Sequence, residues 1–207
     1  MHIDNSDDSI DYGQVRYLLG AAELHQLPED EGIEVAFAGR SNAGKSSALN
    51  KLTGQRNLAR TSKTPGRTQL INIFTINDEK RLVDLPGYGF AKVSKSVKNN
   101  WEKTLSDYLQ TRECLKALVI LMDIRHPCKD MDVAMIRWAL AAGLSVMVLL
   151  SKSDKVKQSE RAKSLKAVKN KLAPYVGPES ELLVSPFSSL KGEGVSVLRN
   201  FLGNIYQ

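Results

Sequence analysis

A chain of 207 residues, 42% hydrophobic and 25% charged, can build one α/β domain with a full core, and two domains would be a squeeze. No stretch approaches the ~18 to 20 continuous apolar residues of a membrane span, residues 1–11 lack the basic start and apolar run of a signal peptide, and Cys114 and Cys128 form no metal or disulfide spacing, so a cytoplasmic protein with reduced thiols is expected. The formal net charge of +6 and pI of about 9.3 favour an anionic partner, nucleic acid foremost.

In chain order, residues 1–30 read as an N-terminal extension, with a short amphipathic piece near residues 15–24 and a turn at Leu27-Pro28-Glu29-Asp30. A single domain is expected over 31–207. Its first strand is 33–38, followed by a Gly-rich turn and a helix over 45–52. Pro65 and Gly66 place a loop at 63–67. Residues 69–76 and 80–84 read as strands joined by a hairpin turn at 77–79. Helices are expected at 97–115, 130–142, 159–172 and 195–206, and strands at 117–123, 145–151 and 181–184. Alternating strands and helices imply a three-layer αβα fold: a mainly parallel six-stranded sheet with one antiparallel edge strand.

Gly39-Arg40-Ser41-Asn42-Ala43-Gly44-Lys45-Ser46 fits G-x-x-x-x-G-K-[ST], between an apolar strand and a helical pattern. The glycines let successive N–H groups turn towards phosphate oxygens, and the helix N-terminus adds its positive end. Lys45 would bring a mobile charge to the β- and γ-phosphates, and Ser46 a hydroxyl ligand for Mg²⁺.

Ser151-Lys152-Ser153-Asp154, at the end of a strand, approximates N-K-x-D. A carboxylate at Asp154 can accept hydrogen bonds from guanine N1–H and N2–H₂, a donor pair adenine lacks, while the Lys152 stem packs on the base. Ser151 replaces the usual Asn and can supply only part of its hydrogen bonding. Asp84-Leu85-Pro86-Gly87 matches D-x-x-G: Asp84 can hold Mg²⁺ through water, and the Gly87 N–H can sense the γ-phosphate. Between the two motifs lies a first switch, residues 61–69, with Thr68 the candidate second Mg²⁺ ligand and Thr61 and Thr64 competing on position. Ser188-Ser189-Leu190 suits a backbone contact to guanine O6. Together these ordered signals point to a guanine-nucleotide site.

Residues 39–47, 61–69, 84–89 and Asp123-Ile124-Arg125-His126-Pro127 closely resemble the EngB (YihA/YsxC) family of bacterial translation-factor-related GTPases, and the resemblance extends over nearly all the chain after Leu27. It implies a Ras-like P-loop GTPase domain that binds GTP and Mg²⁺, assists assembly of the large ribosomal subunit through ribosomal RNA and proteins, and is required for normal cell division and septation. It implies Ser46 and Thr68 as metal ligands. Nucleotide contacts would come from Gly39 to Ser47, from Gly66, Arg67, Thr68, Gln69 and Leu70, from Asp84, Leu85, Pro86 and Gly87, from Ser151 to Asp154, and from Phe187, Ser188 and Ser189.

Phosphoryl transfer needs positioning and charge stabilisation, which Lys45, Thr68 and Gly87 are expected to help supply. Many GTPases place Gln after the D-x-x-G glycine to orient water; here Tyr88 stands there, so slow intrinsic hydrolysis awaiting a partner or ion is expected. Asn42 offers one route, holding K⁺ beside the phosphates; its alternative is a turn-forming Asn. Lys155, Lys157, Arg161, Lys163, Lys166, Lys169 and Lys171 are expected to project from a helix whose apolar stripe is Leu165, Val168 and Leu172, and Lys92, Lys95, Lys98 and Lys103 form a second basic cluster for RNA. The competing readings are a nucleotide-sensing binding module with negligible turnover and, disfavoured by Asp154, a small-molecule phosphotransferase. A monomer without membrane contact is expected.

Overall fold

A computed structural model describes residues 10–59, 70–88 and 95–207, with backbone alone for 95–102. Apolar β-branched and aromatic runs pair into a seven-stranded sheet in the order β1-β3-β4-β2-β5-β6-β7. The strands are β1 (Arg16–Ala21), β2 (Ile33–Gly39), β3 (Ile71–Thr75), β4 (Lys80–Asp84), β5 (Leu115–Asp123), β6 (Ser145–Ser151) and β7 (Leu182–Pro186). The pairs β4–β2, β2–β5, β5–β6 and β6–β7 are parallel, while β3 runs antiparallel to both β4 and β1. The helices are α1 (Lys45–Thr53), α2 (Lys95–Thr111), α3 (Asp130–Ala141), α4 (Gln158–Leu172) and α5 (Val195–Ile205).

Alternation along β2 sorts the two faces. Val35 and Phe37 pack with Leu49 and Leu52 of α1 and with Leu198, Phe201 and Leu202 of α5. Ala36 and Ala38 face the opposite layer with Leu105 of α2, Ile136 and Ala139 of α3, and Val168 and Leu172 of α4. The result is the expected αβα sandwich. Among the described residues no helix is long and apolar enough to cross a membrane.

The sheet has one strand more than expected, because residues 16–21 of the extension are a strand rather than an amphipathic appendage. The register of β1 against β3 shifts between Tyr17 and Leu19, which breaks the simple alternation that would have marked a strand. The helix expected to reach residue 115 ends at Thr111. Asp30 accepts the N–H of Glu113 at 3.0 Å and of Cys114 at 2.9 Å, and this contact from the extension redirects the chain into β5.

A buried charge cluster lies at the edge of the sheet away from the phosphate loop. Glu34, fully buried in β2, accepts from Arg81 Nε (3.0 Å), Arg112 Nη2 (2.8 Å) and the Tyr108 hydroxyl (2.9 Å). Arg112 also donates to the carbonyls of Pro28 and Glu29, and Arg81 to that of Glu29. Glu34 therefore fastens the extension to the sheet through two guanidinium groups.

Candidate functional site

The carboxyl ends of β2, β4, β5, β6 and β7 converge on one edge of the sheet, where ligands of parallel α/β sheets bind. β2 ends at Gly39, the chain turns through residues 40–44, and α1 begins at Lys45. The turn uses left-handed backbone at Asn42 (φ 62°) and Gly44 (φ 99°), and at Gly44 a side chain would be strained. The carbonyls of Asn42 and Ala43 face the β6 side: Lys152 Nζ donates to Asn42 O at 2.9 Å, and Ser151 Oγ lies 2.7 Å from Ala43 O. Among the described residues, the N–H groups of Asn42, Gly44 and Lys45 meet no protein acceptor. A ring of unpaired N–H groups at a helix N-terminus is an anion cradle. Ser46 and Ser47 follow, half-buried, in the first turn of α1.

Asp84 ends β4 beside Phe37 of β2. Its Oδ1 is buried without a hydrogen-bond partner, 3.6 Å from Lys45 Nζ. Burial pushes this carboxyl up, and Lys45 opposes the shift. Asp84 also borders a cleft of about 630 Å³ with Asn57, Ala59, Asn72 and Phe74. An orphaned carboxylate oxygen beside open space, next to the Lys45 that precedes Ser46, fits the water shell of a hydrated divalent cation.

The backbone after Asp84 extends the β2–β4 pairing along the phosphate loop. Leu85 N donates to Phe37 O at 3.0 Å, Tyr88 N to Gly39 O at 3.3 Å, and Ser41 N to Tyr88 O at 3.0 Å. Gly87 passes so close that an added Cβ would stand 3.2 Å from Ser41 N. Leu85 and Pro86 are buried, so only their backbone can face a ligand. Tyr88 is buried too, and its hydroxyl donates to Asp132 Oδ1 in α3 at 2.6 Å.

On the β6 side, Lys152 has φ 59° and lies 3.1 Å from Asp123 Oδ2, which also receives Arg125 Nη2 at 2.6 Å. The Arg125 hydrogen bonds, with Lys152, hold the Asp123 carboxyl well below the usual carboxylate range. Asp123 thereby braces the lysine whose ammonium holds Asn42 O, a role that sequence reasoning missed. The available signal was an acid at the end of β5, in register with Ser151. Ser151 Oγ also lies 3.1 Å from Met122 O; with one proton it serves one carbonyl at a time, replacing part of what an Asn amide would do. Asp154 Oδ1 accepts from Ser188 Oγ at 2.7 Å, and that hydroxyl is the leading cause holding its carboxyl low. Ser153 N donates to Phe187 O, and Phe187 N to Leu150 O; the Phe187 ring is in the core. Ser189 is half-buried beside them.

The structure thus brings Gly39 to Ser47, Asp84 to Gly87, Ser151 to Asp154 and Phe187 to Ser189 to one edge. Gly66, Arg67, Thr68 and Gln69, with Thr61, Thr64 and the loop at 63–67, lie outside the described residues, as does Lys92. Leu70 is half-buried against Gly20 of β1. Arg161, expected to project outward, instead turns in: Nη1 donates to Glu193 Oε1 at 2.6 Å. Lys155, Lys157, Lys163, Lys166, Lys169 and Lys171 are exposed, and Lys171 also donates to Cys128 O.

Residues 34–152 match the family described as 50S ribosome-binding GTPase. A protein of Enterobacter sp. (strain 638) named "Probable GTP-binding protein EngB" is 56% identical over 195 residues, which cover 94% of this chain and 92% of that one. A protein of the same name from Mannheimia succiniciproducens is 54% identical over 91% of each chain. A crystal structure of a probable GTP-binding protein EngB superposes with a TM-score of 0.67 at 22% identity, covering 84% of this chain and 98% of that one. Era in complex with MgGDPNP and nucleotides 1506–1542 of 16S ribosomal RNA superposes with a TM-score of 0.59 at 21% identity, over 84% of this chain and 56% of that one.

Proposed function

The chain belongs to the EngB family of GTP-binding proteins, and from that premise we propose that it binds GTP and GDP with Mg²⁺ at the β2–α1 loop, hydrolyses GTP slowly and serves as a nucleotide-dependent assembly factor for the large ribosomal subunit. The observation that carries the site is the unpaired N–H groups of Asn42, Gly44 and Lys45 beside the orphaned Asp84 Oδ1. One group invites a polyphosphate and the other a hydrated cation. Ser46 and Thr68 would ligate the ion, and Asp84 would hold it through water. A bound Mg²⁺ would supply charge neutralisation on the phosphate oxygens. Lys45 adds its ammonium, the Gly87 N–H reads the γ-phosphate, and Asp154 accepts the guanine N1 and N2 protons. Titrating the protein with a fluorescent GDP analogue, with Mg²⁺ and with EDTA, tests the site; binding indifferent to an Asp154→Asn change would refute the base assignment.

The ribosomal role rests on the family's description and on the exposed lysines of α4. Lys163, Lys166 and Lys169 suit phosphate contacts, whose affinity falls steeply with salt. The reading includes a monomer in the cytoplasm that supports cell division and septation. Cosedimentation with large-subunit particles under GTP, GDP and no nucleotide, across a salt series, tests it. Particle binding that is the same in all three states removes the switch.

One observation favours a second reading, a nucleotide-sensing placeholder with negligible turnover. The Tyr88 side chain is committed to Asp132 and cannot orient water. K⁺ held at Asn42, or a ribosomal partner, would complete the catalyst. Single-turnover hydrolysis in KCl and in NaCl, with and without particles, separates the readings.

A further inference from the structure

Three segments meet behind Asp154. Ser153, fully buried and next to Asp154 in the chain, donates its hydroxyl to Glu193 Oε2 at 2.5 Å. Glu193 Oε1 accepts from Arg161 Nη1 at 2.6 Å, and Arg161 Nη2 donates to Ser153 O at 3.0 Å. The ring of three hydrogen bonds is closed: the residue before Asp154, the first turns of α4, and the loop after β7. Two of the three bonds involve the Glu193 carboxylate, the stronger kind.

Glu193 also controls the other half of the pocket. Its backbone carbonyl accepts from Ser188 N at 3.0 Å, in an isolated antiparallel bridge between the two residues. Ser188 O accepts from Gly192 N, and Ser188 Oγ accepts from Lys191 N at 3.1 Å while donating to Asp154 Oδ1. One residue therefore holds both the chain that carries Asp154 and the hydroxyl that orients its carboxylate. Among the described residues, Asp154 otherwise meets its own backbone N–H and the exposed Lys155 ammonium, 3.5 Å from Oδ2. A flexible, solvated ammonium aims nothing.

We infer that Glu193, tied to Arg161 and Ser153, is a positioning residue that sets the aim of Asp154 and with it the preference for guanine over a purine without the 2-amino group. The inference rests on the reading that Asp154 receives the guanine protons. None of the three residues needs to touch the nucleotide. A carboxylate that must accept two donors from a rigid base tolerates little rotation, so loosening its support costs the second hydrogen bond first.

The test compares affinities for GDP and IDP, the inosine nucleotide, in the unmodified chain and in Glu193→Ala, Ser153→Ala, Arg161→Lys and Asp154→Ala variants, with thermal melts of each. Glu193→Ala should lower the GDP-over-IDP preference by about tenfold, the scale of one charged hydrogen bond. Ser153→Ala should do so by a smaller factor, and Arg161→Lys should fall between them. If Glu193→Ala does not fold, Ser153→Ala and Arg161→Lys decide alone. A preference within about twofold of the unmodified chain in the folded variants, or an equal loss for both nucleotides, overturns the inference. If Asp154→Ala still abolishes the preference in that case, the guanine reading stands without it. If the unmodified chain shows no preference for GDP, both fall together.

Discussion

The Tyr88 hydroxyl lies 2.6 Å from Asp132 Oδ1, and the other oxygen of Asp132 accepts the Lys129 N–H that begins α3. The residue after the D-x-x-G glycine is thus a structural tie between the phosphate-loop edge and the start of α3. Burial pushes the Asp132 carboxyl up, and the Tyr88 hydroxyl is the first influence opposing it. Tyr88→Phe should destabilise the fold by ~1–3 kcal/mol, the cost of leaving a buried acceptor unsatisfied, as read from urea denaturation. Tyr88→Gln should not produce a fast GTPase, because a side chain leaving this backbone points into the α3 contact. A single-turnover rate raised by about tenfold or more in Tyr88→Gln would contradict that placement.

Glu34, itself fully buried, holds the guanidinium groups of Arg81 and Arg112. Glu34→Ala would leave the buried Arg81 without its carboxylate partner and Arg112 with only Asp30, 3.6 Å away, a change of the kind that typically costs ~3–5 kcal/mol. The expected phenotype is a large drop in melting temperature. Adding Arg112→Met to Glu34→Ala should recover part of the loss, since the lone charge is itself the penalty. Double-mutant additivity in denaturant midpoints would show instead that the groups are independent.

Acid should loosen the extension before it opens the sheet. Burial alone would raise the Asp30 carboxyl, but hydrogen bonds from Cys114 and the Glu113 N–H, with the Arg112 charge, bring it from 3.8 down to about 2. Because the folded value is depressed, the stabilisation is complete above 3.8 and is lost as pH falls through about 2. Asp30→Asn should lower stability at neutral pH and flatten the decline across that window. An unchanged slope of unfolding free energy against pH would assign the acid sensitivity elsewhere.

Ser151→Ala should free the carbonyl of Ala43 and let the phosphate loop relax. Loss of one neutral hydrogen bond corresponds to ~1 kcal/mol, or a GDP affinity about fivefold weaker. Calorimetric titration reads this directly. Undiminished affinity would mean that Lys152 alone holds the loop.

Much of the architecture was legible because β2, β5 and β6 are continuous apolar runs bounded by turns, and because the phosphate loop, Asp84 and Asp154 fall at strand ends. What escaped was set by contacts distant in sequence. Residues 16–21 hid as a strand because the bulge near Leu18 interrupts their alternation. The end of α2 depends on Asp30, far away in the chain. Arg161 sits in a run of lysines that propensity treats alike, yet Glu193 turns it inward. Glu193 itself lies in a Gly-rich loop, where nothing in spacing or periodicity marks a partly buried ion pair.

The strand β1 alters what the sheet presents to its neighbours. Without it, β3 would be the outermost strand, offering a row of unpaired N–H and C=O groups flanked by Ile71 and Ile73. Such an edge templates self-association. With β1 in place, the exposed rim is instead a short bulged strand that begins with the cationic Arg16. The extension therefore occupies, among the described residues, the backbone groups of β3 that would otherwise be open to an added antiparallel strand.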